Sequence, residues 1–322
     1  MARNLQTPLS ETARNIHIYH HDGHVIGGTF QHGSITCSNL YDMCSIFLDF
    51  PSSAANPHTW AVFELGVDGS TGPIVPKNRT RIATGNYIIL TSARGPIAVR
   101  PTEREAVRRI WSESASTQRL SDKQKHFRNQ LRSRDQACAV TGYTRADFLS
   151  LEAAHIVPVA RQHEWRPSQG EYGQSGSSTD TAAIDTLIGE DELYSLQNGL
   201  LLHRSIHPQF DVYEWAIDPR DGYKVTVFHQ KETILPIDGR SLSEKSRCQG
   251  GPAEWRVSDN ALRWHFEQAV LKNMKGAAGE QWPDWEYDMG EGGDIISEIM
   301  QGPEPGVRME LELGNRLAGW ED

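Results

Sequence analysis

Residues 151–158, LEAAHIVP, carry a histidine at the end of a short apolar run. Residues 197–211, QNGLLLHRSIHPQFD, open near an asparagine and close on a His-x-x-x-Asp pair. These residue types suit metal-assisted hydrolysis of a phosphodiester. That reaction needs a base to take a proton from water, a cation to hold charge on the phosphate and leaving oxygen, and a group that fixes the base. Histidine titrates near neutral pH. Imidazole and carboxylate together suit one divalent ion. A side-chain amide can hold backbone or imidazole without itself titrating.

The spacing says how these groups could converge. LEAAHIV reads as a strand that delivers His155. His207 and Asp211 are four apart, so on a helix they share a face. Pro208 is tolerated in a first turn, which sets the helix start near His207. Asn198 lies in the loop entering this region. His203, four before His207, reads as an accessory or surface residue, and Phe210 as core.

On these residues the chain resembles the HNH endonucleases. The resemblance rests on Cys138-Ala139-Val140-Thr141-Gly142, Ala153-Ala154-His155-Ile156, Asn198 to Leu202, and His207-Pro208-Gln209-Phe210-Asp211, in that order. It covers about residues 134–230, and the hairpin and helix that follow are similar to fungal members. It implies a β-hairpin and a helix around one metal ion (the ββα-metal fold). His155 would then be the general base and Asn198 the brace that orients it. His207 and Asp211 would ligate the metal, magnesium with manganese or zinc as alternatives. The substrate implied is nucleic acid, DNA before RNA. Many members of the wider superfamily carry a metal ligand just before the catalytic histidine, where this chain, like the subgroup it resembles, has Ala154. Glu152, on the same strand face by alternation, is one candidate replacement, and water or phosphate is the other.

The rest of the chain must position this set. With 322 residues there is room for about two domains. Residues 1–14 read as a tail, without the apolar core of a secretory signal. Residues 15–100 read as a small α+β domain. NIHIYHH and HVIGGTF bracket Asp22-Gly23, a hairpin turn. Ser38 is placed to cap a helix over NLYDMCSIFL, and WAVFEL, GNYIILT and IAVR follow as strands, possible elements of a β-grasp. His17, His20, His21 and His24 fall on both faces of that hairpin and read as ordinary exposed residues. Cys37 and Cys44, seven apart, read as buried small side chains.

Residues 101–134 read as a helical connector, with Thr102 and Glu105 as a capping box. Its second half, RLSDKQKHFRNQLRSR, is strongly basic, and Arg128, Arg132 and Arg134 are candidates for phosphate contact. The nuclease domain is expected over 135–230, with a polar Gly- and Ser-rich insertion at 163–192 and a short helix after it. YEWAI and YKVTVF should pair across Asp218–Gly222. In 231–275, DNALRWHFEQAVLKNMKGA reads as an amphipathic helix with Leu262, Phe266, Ala269 and Val270 on one side. Residues 276–322 form an acidic tail with short helices at DIISEIM and RMELELGNRL. The fold class is α+β: an HNH nuclease domain preceded by a small α+β domain and followed by helices.

The net charge of −10 does not oppose a polyanionic substrate. Residues 276–322 hold 12 acidic residues against Arg308 and Arg316, which accounts for all of it. The remaining 275 residues are neutral, with 30 charges of each sign. No apolar run approaches the roughly 20 residues that cross a bilayer. The four cysteines form no CxxC pair, which argues against a zinc knuckle and suits a reducing compartment, nuclear or cytoplasmic. No Gly-x-Ser-x-Gly elbow supports a serine hydrolase. Two other readings stand beside the nuclease. One is a nucleic-acid-binding module on an HNH scaffold without robust catalysis. The other is an interaction protein whose residues 15–100 bind a protein partner. No oligomeric state is implied.

Overall fold

The computed structural model describes residues 3, 5–6, 14–51, 59–107, 122–158, 194–230, 235–248 and 251–276. The insertion at 163–192, the helix expected just after it, the helices expected within 277–322 and the segment 108–121 lie outside these residues.

The N-terminal half is a mixed sheet with a helix between its hairpins. Strands β1 (Ile16–Tyr19) and β2 (Val25–Thr29) form the first hairpin. Helix α1 (Cys37–Phe47) follows, then the short β3 (Leu48–Asp49). Strands β4 (Trp60–Leu65) and β5 (Thr71–Ile74) make the second hairpin. Strand β6 (Gly85–Thr91) returns between β1 and β4, parallel to β1. The order is β2-β1-β6-β4-β5, the connectivity of a β-grasp.

The helix is capped by Thr36, not Ser38. Thr36 Oγ1 accepts from Asn39 N–H at 3.2 Å, and Asn39 Oδ1 accepts from Thr36 N–H at 2.9 Å, a reciprocal box. Its apolar positions Leu40, Met43, Cys44 and Phe47 are all buried. IAVR contributes only β7 (Arg100–Pro101), paired with β3. No capping box forms at Thr102. Its N–H donates to Phe47 O at 2.9 Å, and residues 102–107 are not helical.

Helix α2 (Asp122–Asp135) crosses the hairpin of β8 (Leu151–His155) and β9 (Gly199–His203). Phe127 and Leu131, four apart, are its buried stripe and pack with Leu196. Helix α3 (His207–Asp211) follows β9, with Pro208 in its first turn. Strands β10 (Trp215–Asp218) and β11 (Lys224–Val227) pair across a turn that ends on Gly222 at φ 67°. Helices α4 (Glu244–Arg247) and α5 (Asp259–Met274) complete the described chain.

Helix α5 departs from the one-sided helix expected. Trp264, His265, Leu271 and Met274 are buried along with Leu262, Phe266, Ala269 and Val270. The reason is that it has two partners. One side packs on β10, the other on α1 and β2. The two halves therefore share a core through α5, and residues 14–107 and 122–276 belong to one compact unit. Arg14, 5% exposed, donates to Asn273 O at 2.6 Å and Gly276 O at 2.8 Å, closing the end of α5. Further links join Ser34 to Asp238 and Asn39 to Asp221. Among the described residues no helix is long and apolar enough to cross a membrane.

Candidate active site

His155 is the last residue of β8, opposite Gly199. Its ring stacks on Phe127 at 4.2 Å and 16°, and Tyr194 closes its edge at 5.3 Å and 84°. Gly199 makes that stack possible, because a Cβ there would overlap the Phe127 ring. The backbone ladder ends at this pair, and Asn198 extends it. Asn198 is fully buried. Its Oδ1 accepts from Val157 N–H at 2.8 Å and its Nδ2 donates to Val157 O at 3.0 Å. A side-chain amide thus acts as an extra peptide and fixes the chain just beyond His155.

His207 starts α3 with a carboxylate on either side. Its Nδ1 lies 2.8 Å from Glu152 Oε2 and its Nε2 lies 3.2 Å from Asp211 Oδ2. Burial alone would disfavour the charged imidazole, but the hydrogen bonds to Asp211 and Glu152 outweigh it and raise His207 to about 9. The His207 hydrogen bond holds Glu152 below the usual carboxylate range.

Alternation along β8 splits the predicted set into two groups. Ala153 and His155 face α2, where Ala153 packs on the Phe127–Leu131–Leu196 cluster. Glu152 faces α3. Three residues of strand, about 10 Å, separate His155 from Glu152. The structure thus brings together Glu152, His207 and Asp211, and places His155 and Asn198 at the end of the hairpin.

Helix α5 holds the far end of α3. His265 Nε2 lies 3.0 Å from Phe210 O, Lys272 Nζ donates to Val212 O at 2.6 Å, and Asn273 Nδ2 donates to Tyr213 O at 2.8 Å. These three carbonyls lie at the end of the helix that carries His207 and Asp211, where backbone acceptors run out of intrahelical donors, and Phe210 O also accepts from Tyr213 N–H at 3.0 Å.

Of the three candidate phosphate-binding arginines, Arg134 is turned inward. It is 7% exposed. Its Nε and Nη2 hold Asp135 at 2.7 and 2.9 Å. Its remaining bonds reach Leu196 O, Trp255 O and Gly199 O. A guanidinium has five N–H donors, and these bonds occupy all five, so Arg134 has none left for a phosphate. It is instead the tie between α2 and the site loop. Asp135, 1% exposed, passes the link on by accepting from Leu201 N–H at 2.9 Å and Ser246 Oγ at 2.8 Å. Arg128 and Arg132 are half-buried on α2.

The residues overlooked from sequence are Phe127, Tyr194 and the α5 trio. A signal existed for the first: an apolar pair four apart in an otherwise charged helix. The remaining cysteine and histidine candidates are structural. Cys138 Sγ accepts from Thr141 N–H and His203 N–H, inside the Cys-x-x-Thr-Gly turn. His203 Nδ1 lies 2.7 Å from Ser205 Oγ. His20 and His24 both lean on Asp22, while His17 meets Asn86.

Residues 138–218 match the family of HNH endonucleases.

The HNH segment spans the Cys138 turn, the β8–β9 hairpin, α3 and β10. Residues 13–96 match a domain of unknown function (DUF8573). Neither a curated protein nor a solved structure matches the chain. The match suggests a nuclease-type function, and HNH nucleases in general act on nucleic acid with a divalent metal ion. Among the described residues, no three His, Cys, Asp or Glu side chains surround a single point. Glu152, His207 and Asp211 stand in line, with the imidazole between the carboxylates. Their donor types still suit a magnesium-like ion, which takes one or two carboxylates and completes its shell with water and substrate phosphate.

Proposed function

We propose that the chain is a metal-dependent endonuclease that hydrolyses phosphodiester bonds in DNA. The observation that carries this reading is the pairing of two groups inside the HNH match, one on the hairpin and one on the helix that follows it. A histidine is seated on an aromatic ring at the strand end, and a second histidine lies between two carboxylates on the next helix.

His155 takes the proton from the attacking water. The Phe127 stack and the Asn198 clamp limit its motion, so the base meets the water in one orientation. His207 and Asp211 would hold the metal, with Glu152, on the far ring nitrogen of His207, the nearest further carboxylate. The ion when bound supplies charge stabilisation at the scissile phosphate and its leaving oxygen. Metal ligation requires His207 to release the proton it shares with one carboxylate. His155 lies about 10 Å along the strand from Glu152, the carboxylate bonded to His207.

One observation favours a second reading, a nucleic-acid-binding module with weak or no catalysis. Ala154 is fully buried and offers no donor at the position just before His155. Supercoiled plasmid incubated with magnesium or manganese separates the two. The nuclease reading expects nicked or linear product that is lost in His155→Ala. Retarded but intact plasmid under every divalent ion would support the binding module.

A further inference from the structure

Helix α2 carries two arginines whose charge nothing among the described residues answers. Arg128 and Arg132 are one turn apart, so their side chains run along one face. Both are half-buried, and the Nε of each is buried without an acceptor. Neither makes an ion pair among the described residues, in contrast to Arg134, whose donors are all used. The Arg132 guanidinium lies over the Phe148 ring, 5.1 Å from its centre. Burial, and then the Arg128 charge, hold Arg132 below its ordinary pKa. Two like charges one turn apart weaken a helix, and a buried donor without an acceptor costs stability. Both costs are reversed when an anion binds between the forks.

The position of the pair says which anion. Phe127, the residue before Arg128, is the ring on which His155 stacks. A planar guanidinium matches two phosphate oxygens at once.

We propose that Arg128 and Arg132 form a phosphate-gripping pair that holds the nucleic-acid backbone beside His155. The pair reads no bases. It sets where along the strand the scissile bond lies. The identity of the anion as a nucleic-acid backbone rests on the nuclease reading, whereas the existence of an anion site does not.

The test is equilibrium binding of a fluorescein-labelled DNA duplex to the full-length protein in EDTA, read by anisotropy between about 50 and 200 mM salt. The R128Q/R132Q double variant should bind about tenfold or more weakly. Its slope of log affinity against log salt should be shallower by about 2, one phosphate contact per arginine. A K123Q/K125Q variant removes the same charge from exposed positions of the same helix and should change little. Unaltered affinity and slope in R128Q/R132Q, or an equal loss in K123Q/K125Q, would overturn the proposal. If the double variant does not fold, as judged by its melting curve, each single variant should show about half the slope change, and no change in either single overturns it. Cleavage by wild type with no binding defect in R128Q/R132Q would sink the pair and leave the nuclease standing. A binding defect without any cleavage by wild type would do the reverse.

Discussion

Glu152 and His207 are joined at 2.8 Å across the gap between strand β8 and helix α3. With Asp211 on the other ring nitrogen, this is a charged imidazole held between two carboxylates.

The arrangement gives the metal-free protein a definite pH profile. His207 is raised from 6.5 to about 9 on folding. Its contribution is therefore complete below about 6.5 and is lost as pH rises through 9. Glu152 is lowered from 4.5, so its contribution is present above that value and lost as pH falls through its lowered value. In EDTA the melting temperature should fall between about pH 6.5 and 9, and His207→Gln should flatten that limb. Manganese affinity measured by calorimetry should rise over the same interval with release of a proton. A melting temperature that climbs with pH there would contradict the pairing.

Asn198 should be hard to replace. Asn198→Ala leaves both Val157 backbone groups buried without a partner, at a cost of about 3 kcal/mol. Asn198→Asp keeps the acceptor but loses the donor to Val157 O. Both should reduce cleavage more than they reduce duplex binding. A denaturation series in which Asn198→Ala costs less than about 0.5 kcal/mol would mean the clamp does not matter for the loop.

The aromatic seat of His155 can be disturbed without touching the base. Gly199→Ala drives a methyl into the Phe127 ring, at a cost of about 1–3 kcal/mol. Phe127→Leu removes the stack while keeping most of the volume, at about 1 kcal/mol. Turnover should fall by about tenfold in both, with KM little changed. Wild-type turnover in Phe127→Leu would show that the stack has no part in orienting His155.

The N-terminal half should prove inseparable from the nuclease half. Arg14→Met uncaps α5, whose His265, Lys272 and Asn273 hold the end of α3. The expected loss is about 3 kcal/mol. Deletion of residues 1–100 bares the side of α5 that packs on α1 and β2, and the product should be insoluble or partly unfolded. A soluble deletion protein with a cooperative melt would contradict this.

Local chemistry made much of this legible. Pro208 marked the start of α3, and the four-residue spacing put His207 and Asp211 together. Asp218 to Gly222 announced the β10–β11 turn. What stayed hidden depends on contacts distant in sequence. The string of basic residues in α2 does not say which face packs, so Arg134 looked like its neighbours. Its acceptors Leu196 O and Trp255 O come from far along the chain. The second buried side of α5 was invisible because its partners are α1 and β2, more than 200 residues earlier. Strand alternation was legible for Glu152, yet it also put His155 on the opposite face, a consequence that the motif alone conceals. The cap falls to Thr36 and not to Ser38 because the Asn39 side chain, three residues on, returns the bond.

The most direct test is plasmid cleavage by wild type and His155→Ala, each with and without magnesium or manganese, after both are shown to melt alike. Nicked or linear product should form with wild type plus metal, vanish in EDTA and fall by at least about a hundredfold in His155→Ala. Cleavage by His155→Ala at the wild-type rate, or by wild type stripped of metal, would contradict the assignment of His155 as the base of a metal-dependent nuclease.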